Sequence, residues 1–573
     1  MSVDKKQAIK ILKEIAVLLQ IKGESSFKSR AYTNGARALE DTDESLQELV
    51  ESGRLSKIKG MGKALVSKLT DLVENERMTY YEELKASLPE GLMDLTRIPG
   101  LGPKKIKKLY DELSITSLGE LEYACKENRL VILDGFGPKT QTNILKGIEY
   151  LRKNQGRHRM NFARQSSRAV VSALEGMEEI KRMDVTGSVR RCKETVKDID
   201  IIVSTTEPQK VMDAFVGLPD VDDVIAHGNT KSSVLLASGI QVDLRCVTDE
   251  QYPFTLLHFT GSKEHNTALR RIAKQHDLKL NEYGLFRTDD TSLVCKSEED
   301  IYQSLGLHFV PPPLREDRGE VEKAAEAPFP ALVQESDIRG IFHAHTTYSD
   351  GAATLKEMGD ACIELGYEYI GITDHSRSAF YAQGLSIERV QQQQKEIDAL
   401  NAEWGETFRI FKGIESDILQ DGALDYPEEI LESFDFIIAS VHSRFKMNKE
   451  DMTQRILKAI EHPCTTMLGH PTGRLLLARE PYELDMHYLL DAAAANDVIV
   501  EINANPHRLD LDWRLLEYAV NKGVMISINP DAHTIRGLKD VEYGVGIAQK
   551  GGLVPAQIFN TRSVSEVAES FKK

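Results

Sequence analysis

The segment TGSVRRCKETVKDIDIIVS, residues 186–204, decides how this chain is read. It closes on the run Asp198-Ile199-Asp200-Ile201-Ile202-Val203, whose β-branched residues predict a strand. Side chains two apart on a strand share a face, so Asp198 and Asp200 point the same way. IQVDLRCV at 240–247 alternates as well and, as a neighbouring strand, supplies Asp243 as a third carboxylate. Three clustered carboxylates repel one another unless divalent cations neutralise them. Two hard cations so held can activate a 3′-hydroxyl and support a leaving pyrophosphate. Upstream, Gly187 and Ser188 offer backbone and hydroxyl donors, and Arg191 offers a planar fork for a triphosphate. Alone, D-x-D on a strand is more often an exposed acidic edge and G-S a turn. The combination is what points to chemistry.

Outward from this segment the periodicity changes. The first 150 residues read as helical, as in KKQAIKILKEIAVLLQIKG with apolar residues three and four apart. Three segments there repeat one pattern: IKGMGKALVSKL (58–69), IPGLGPKKIKKL (98–109) and LDGFGPKTQTNIL (133–145). In a helix–hairpin–helix unit, Gly-x-Gly turns the backbone tightly and lets it approach a phosphate, while the next helix offers free N–H groups and its positive end. Gly60/Gly62, Gly100/Gly102 and Gly135/Gly137 fit that role, with Lys104, Lys105, Lys107 and Lys108 adding charge at the second. One G-x-G is usually an ordinary turn. Three, each opening a helix, favour contacts to the DNA backbone, which carry no base information.

Net charge is −17, yet residues 1–310 hold 46 basic and 46 acidic side chains, so all of the excess lies beyond them. Residues 151–200 carry 12 basic against 7 acidic side chains, which suits phosphates, although a solvated basic face is the plainer alternative. No stretch approaches 18 uninterrupted apolar residues and the start lacks an apolar signal core, which places the protein in the cytoplasm, nucleoid-associated, with no membrane partner. Six scattered cysteines without a C-x-x-C pair fit reduced thiols.

G-S-x-R-R with D-I-D, Asp198 standing eleven residues after Gly187, closely resembles the DNA polymerase X family, which includes DNA polymerase beta. HGNTKSS (227–233), HFTGSKEHN (258–266) and NEYGLF (281–286) continue the resemblance, which covers about residues 1–315. It implies that Asp198, Asp200 and Asp243 bind two catalytic ions, Mg²⁺ or Mn²⁺, and that Gly187, Ser188 and Arg191 hold the triphosphate. Phe259 and Gly261 would flank the sugar and base of an incoming dNTP, and Asn266 and Arg270 would probe the minor-groove side of the nascent pair. Two departures stand out. His258 occupies the place of a Tyr in the eukaryotic relatives, which bears on ribose discrimination. Lys68 matches the Schiff-base lysine of the lyase members, but Ala64 replaces a phosphate-binding lysine. Lys28, Arg30, Lys63 and Lys68 could form a cationic cluster that activates Lys68, and a simple DNA-backbone contact by Lys68 is the equal alternative.

Beyond PPPLREDRGEVEKAAEAPFPALVQES (311–336), short apolar runs alternate with helices, the pattern of a parallel α/β architecture. Nine of the fifteen histidines lie there, most at the ends of seven runs: RGIFHAHTTYSDG, YIGITDHS, FRIFKGIESD, FDFIIASVHS, TTMLGHP, DVIVEINANP and VMISINPDAH. A barrel gathers the C-terminal ends of its parallel strands into one ring, so these polar endings converge as metal ligands. The set resembles the PHP (polymerase and histidinol phosphatase) family over about residues 336–573. The resemblance implies three divalent ions, Mn²⁺ or Zn²⁺: one on His343, His345, Glu415 and Asp531, a second on Asp350, His375 and His533, a third on Glu415, His442 and His470. Asp350 stands where some phosphatase members carry His, a harder donor that favours manganese. Clustered cations would polarise a phosphate and lower the pKa of a bridging water.

These readings give a multidomain fold: a helical helix–hairpin–helix region, an α/β nucleotidyltransferase palm and thumb, then an α/β PHP barrel of about seven parallel strands. The expected divisions are a helical domain at 1–90, a fingers-like domain at 91–155, palm 156–250, thumb 251–315, linker 316–336 and PHP domain 337–573. The expected protein is a monomeric DNA repair polymerase that fills short gaps at gapped or nicked DNA. A PHP 3′→5′ exonuclease accompanies it and also incises abasic sites. A DNA-binding scaffold with an inactive palm, and a PHP phosphatase acting on small phosphoesters, are the alternatives. Because the hairpins contact phosphates, affinity for duplex DNA should fall at least about a hundredfold between roughly 50 and 200 mM salt. It should also be indifferent to sequence. Fluorescence anisotropy on two unrelated duplexes measures both, and a flat salt response would remove the hairpins as the source of affinity.

Overall fold

The apolar stripe of KKQAIKILKEIAVLLQI forms the helix Lys5–Ile21, which buries Leu12, Ile15 and Leu19 with Leu39, Leu65, Leu69 and Leu72 from the helices Ser26–Glu40 and Lys63–Asn75. A separate core gathers Leu92, Ile106, Leu109, Leu121, Phe136 and Ile144. Both cores belong to the first of two units into which the chain divides, Met1–Leu151; the second is Arg152–Lys573. The computed structural model describes residues 5–572 apart from 41, 43, 59, 76, 90, 99 and 153–155. Among the described residues no helix is long and apolar enough to cross a membrane, and all six cysteines are free thiols.

The second unit opens on a palm. Strands β1 (Ile180–Val185), β2 (Asp198–Thr205), β3 (Val221–Ala226), β4 (Lys231–Leu236) and β5 (Gln241–Val247) form a sheet in the order β1-β2-β5-β4-β3. Only β2 and β5 run parallel. Ile199, Ile201, Val203, Val242 and Leu244 face the helices Met160–Leu174 and Pro208–Val216. Period-two alternation therefore leaves Asp198, Asp200 and Asp243 on the other face. The helix Tyr252–Thr260 packs on that face at Ile202. Helices Lys263–Gln275 and Glu298–Ser304 with the hairpin Leu278–Asn281/Gly284–Arg287 build the thumb core around Leu269, Leu285 and Tyr302.

Residues 316–336, expected as a linker, are not a free tether. Val321 and Ala324 of the helix Glu320–Glu326 lie in the thumb core, and Val333 lies in the barrel core. Three of the charges that suggested exposure are paired inward: buried Arg315 on Glu298, Glu316 on Lys550, and Glu320 on His265 at 2.6 Å. Palm and barrel consequently share one unit, joined also by Arg168 Nη2 on Glu542 Oε2 at 2.5 Å.

The seven expected strands form the barrel: β6 (Gly340–Ala344), β7 (Tyr369–Ile372), β8 (Arg409–Asp417), β9 (Phe436–Ser440), β10 (Met467–Leu468), β11 (Ile499–Asn503) and β12 (Ile526–Asn529). All pair in parallel and in chain order. A bridge between Ala344 and Ala532 nearly closes the ring. One end of the interior is aromatic, with Phe342, Tyr369, Phe411, Phe436 and Phe559 in one cluster. On β8 the inward face reads Phe411, Gly413, Glu415, passing from apolar to charged within one strand. The glycine there and Gly371 on β7 make room for the rings. A Cβ at Gly371 would lie 2.4 Å from the Phe342 ring and 2.6 Å from Phe436. Gly371→Ala should therefore destabilise the chain by about 1–3 kcal/mol through overpacking. A thermal midpoint equal to the parent's would show that the aromatic end is loosely filled.

Candidate active sites

The palm site follows from strand register. Asp200 on β2 lies directly opposite Asp243 on β5, with Asp198 two residues before it on the same face. Burial first, and then the Asp198 and Asp243 charges, push the Asp200 carboxyl up to about 6. Burial alone would also raise Asp243, but hydrogen bonds from Lys231, Gln241 and Ser233 hold it below the usual carboxylate range. Lys231 Nζ on β4 lies 2.5 Å from Asp243 Oδ2, and Gln241 Nε2 donates to Oδ1 at 2.8 Å. Sequence reasoning missed Lys231, although it begins a strand that pairs with β5. Three carboxylates beside only Lys231 and Arg245 are short of positive charge, which fits divalent cations.

The loop above them needs glycine. Gly187 has φ +64°, and a Cβ there would lie 2.6 Å from Asp200 Oδ2. Its neighbour Arg191 is engaged: Nε donates to Glu316 Oε1 at 2.9 Å and Nη1 to the Thr260 carbonyl at 2.7 Å. Phe259 lies under the Arg245 guanidinium, 4.4 Å from ring centroid to carbon. Asn266 uses its amide to hold the turn between two helices, donating to the His258 carbonyl at 2.7 Å and the Gly261 carbonyl at 3.3 Å. Arg270 Nε donates to the Asn266 carbonyl at 3.2 Å, and the residue is exposed. Residues 258–270 thus form one patch, with Asn266 bonded inward.

At the barrel mouth all nine expected side chains converge, each at or just beyond a strand end. Glu415 is their centre. His343 Nε2, His442 Nε2 and His470 Nε2 lie 3.2, 3.1 and 2.9 Å from its Oε1. His375 Nδ1 and His345 Nε2 lie 2.9 and 3.7 Å from Oε2. Asp531 Oδ1 lies 3.3 Å from His345 Nε2, and Asp350 Oδ1 3.3 Å from His533 Nε2. Among the described residues of the second unit, four sets bring their ligand atoms within 4.8 Å of one another: His345, Asp350, His375 and His533; His343, His345 and Glu415; His343, His470 and Asp531; His375, Glu415 and His442. His345 and His375 thus each stand in two sets, and His470 joins His343 and Asp531, a finer sharing than the expected partition.

The donor set fits metal. His343 Nε2, both ring nitrogens of His345 and His375, Asp350 Oδ2 and Glu415 Oε2 are buried without hydrogen-bond geometry to any described residue. Neighbouring imidazoles are pulled to opposite extremes: burial with His533 and His375 pushes His345 down to about 3, whereas Glu415 and Asp417 overcome burial and lift His442 to about 9. His343 and Asp531 adopt positive φ, +58° and +51°, at a backbone cost on the order of 1–3 kcal/mol each. A supporting layer that sequence reasoning missed fixes the rings. Glu501 takes His343 Nδ1 at 2.6 Å and the His470 N–H at 2.7 Å, and is itself held by Asn529 and Asn503. Asp417 takes His442 Nδ1 at 2.5 Å. Glu501 sits in the one strand ending, EINANP, that contributes no ligand; Asp417 follows Glu415 in GIESD.

In the first unit the three hairpins are built alike. Met61, Leu101 and Phe136 each donate a backbone hydrogen bond three residues back, to Ile58, Ile98 and Leu133 at 3.1, 3.1 and 3.0 Å. Gly60, Gly100 and Gly135 take φ +101°, +81° and +87°, the turn position that demands glycine. Gly62, Gly102 and Gly137 then accept the first helical bonds, and a Cβ at any of these three would meet nothing within 4 Å. Such open helix starts accept phosphate. Lys68 Nζ bonds the Tyr32 hydroxyl and lies 3.4 Å from the Tyr80 ring centroid; burial lowers its pKa. Lys28, by contrast, pairs with Glu24 at 2.9 Å.

Comparison with known proteins covers the same parts. Residues 3–78 match a helix-hairpin-helix domain, 92–149 a SAM-like helix-hairpin-helix tandem, 255–316 the DNA polymerase beta thumb and 342–505 the PHP domain. The chain is 41% identical over 99% of both chains to the DNA polymerase/3′-5′ exonuclease PolX of Bacillus subtilis (strain 168). Over 19% of its length it is 37% identical to 23% of human DNA-directed DNA/RNA polymerase mu. Over 40% of its length it is 26% identical to 93% of a probable phosphatase of Thermoanaerobacter sp. (strain X514).

Because both Glu415 oxygens face imidazoles from different sets, its loss should disturb more than one ion. Elemental analysis of Glu415→Gln loaded with Mn²⁺ should show bound metal reduced by more than one equivalent, against about one for His442→Ala. Equal losses in the two variants would mean that Glu415 does not bridge.

Proposed function

This chain belongs to the PolX family of DNA polymerase/3′-5′ exonucleases, and we propose that it fills short gaps in DNA by template-directed nucleotidyl transfer while its barrel trims 3′ ends. The observation that carries this reading is the presence of two separate centres in Arg152–Lys573: three carboxylates on the palm sheet and nine ligands at the barrel mouth. An inactive palm has no support in a face that keeps all three carboxylates together. A phosphatase acting on small phosphoesters has support in the barrel-only relative, but it leaves the palm and three phosphate-facing hairpins without a use.

Asp198, Asp200 and Asp243 would hold Mg²⁺ or Mn²⁺, which neutralise the carboxylates and stabilise charge on the primer 3′-oxygen and the triphosphate. The chain's own residues do the rest. Gly187 lays its loop against Asp200, leaving the Ser188 hydroxyl and nearby N–H groups to orient phosphates. Arg245 fixes the Phe259 ring, and Asn266 holds the turn through Gly261, so a flat surface faces the sugar and base. Burial lowers the His258 pKa, which keeps a neutral ring beside Phe259.

In the barrel, the nine ligands would hold up to three divalent ions, Mn²⁺ or Zn²⁺, which polarise a phosphodiester and make a water nucleophilic. Glu501 and Asp417 hold the Nδ1 atoms of His343 and His442, so each presents Nε2 to the centre. Incision at abasic sites would use this same centre. Lyase chemistry at Lys68 would need a neutral amine, which burial favours and the Tyr80 ring opposes. Substrates on this reading are gapped or nicked DNA and dNTPs.

The two centres share no side chain, so they should fail independently. Asp200→Ala should lower nucleotide incorporation on a one-nucleotide gap by at least about a thousandfold. DNA affinity should hold, as should Mn²⁺-dependent hydrolysis of a 3′ end. Loss of both activities in a folded variant would sink the two-centre reading.

A further inference from the structure

The palm loop that carries Arg191 does not rest on the palm alone. The barrel helix Val541–Lys550 runs against it, so closely that a Cβ at Gly546 would lie 3.1 Å from Arg164 Nη2 and 3.3 Å from Cys192 Sγ. The last residue of that helix, Lys550, is wholly buried. Its ammonium donates to Glu316 Oε1 at 2.7 Å, the Arg191 carbonyl at 2.9 Å and the Pro313 carbonyl at 3.3 Å. Three donors meet three acceptors.

Glu316 is the hub. Its Oε1 also accepts from Arg191 Nε at 2.9 Å, and its Oε2 lies 3.2 Å from Lys193 Nζ. One buried carboxylate is thereby shared among three cations, two from the palm loop and one from the barrel. The second anchor of the Arg191 guanidinium is the Thr260 carbonyl, at 2.7 Å from Nη1. Both anchors draw the fork toward the thumb and barrel.

We propose that Glu316 and Lys550 are positioning residues for nucleotide binding: Glu316 restrains the Arg191 guanidinium, and Lys550, by neutralising Glu316, lets that guanidinium turn to a nucleoside triphosphate. The inference rests on the reading of Arg191 as a triphosphate ligand. When Arg191 turns away, Glu316 keeps Lys550 and Lys193, so no bare buried anion is left behind. Without Lys550 only the partly exposed Lys193 remains, and Glu316 retains Arg191 instead. Despite burial, Lys550 and Arg191 hold the Glu316 carboxyl down at about 2, so the hub stays anionic. The barrel helix thereby sets the affinity of the palm for a ligand it never touches.

The test is single-nucleotide gap filling by the full-length chain with dNTP concentration varied in Mg²⁺, alongside hydrolysis of a 3′ end in Mn²⁺. Lys550→Met keeps the stem and removes the charge. The dNTP KM should rise about tenfold while kcat stays within about twofold. Hydrolysis should be unchanged, since Lys550 lies outside the metal ligands. Adding Glu316→Gln should bring KM back to within about threefold of the parent, a reversal that lost packing would not produce. Glu316→Gln alone should lower KM below the parent's, and it decides the matter if Lys550→Met does not fold. An unchanged KM in the folded variants, or a rise that the double variant leaves in place, overturns the proposal. Arg191→Ala separates the premise from the inference. If it leaves KM unaltered, the triphosphate reading fails and the proposal with it. If it raises KM while the Glu316 and Lys550 variants do nothing, the reading stands and the proposal alone is lost.

Discussion

Five imidazoles crowd one fully buried carboxylate, Glu415, at 2.9 to 3.7 Å. A protein interior tolerates such a group only when its donors and acceptors are satisfied, and here several ring nitrogens point inward with no hydrogen bond of normal geometry. That shortage of partners is the constraint around which the C-terminal half is organised. Strand ends, bulged backbone at His343, and the carboxylates of Glu501 and Asp417 all aim lone pairs at one volume. Divalent cations are the chemistry that resolves it.

The barrel makes the arrangement affordable by separating two environments within one lumen. Aromatic rings fill one end, against glycines that leave them room, and the polar ligands occupy the other. The palm applies the same principle on a smaller scale. Its sheet presents an apolar face to two helices and gathers Asp198, Asp200 and Asp243 on the opposite face. There Lys231, paired with Asp243, and Arg245 offset part of the charge.

Charge also ties the two centres into one body. Within the charged run after the three prolines, Arg315, Glu316 and Glu320 turn inward and each finds a buried partner, while their charged neighbours stay exposed. Paired in this way, they bring the barrel helix Val541–Lys550 against the loop that holds Arg191. The palm loop that carries Arg191 therefore takes part of its geometry from the barrel's scaffold.

Much of this was legible along the chain. Alternation along one strand puts Asp198 and Asp200 on one face, and polar residues ending apolar runs point to a ring of candidate ligands, whose nine members the PHP resemblance implies. The hairpins were found by Gly-x-Gly opening a helix. In each case a short local pattern sets both the element and the face on which the side chain stands. The residues that escaped are those whose role depends on a distant partner. Lys231 matters because β4 lies beside β5, and Glu501 because β11 faces His343 across the lumen. Residues 316–336 read as a tether because a run of charges looks the same whether water or a buried counter-ion neutralises it. Thus the sequence by itself determined which chemistry the chain carries and on which elements. Only the tertiary structure decided which face meets which, because pairing between residues as far apart as Arg191 and Lys550 leaves no local periodicity to read.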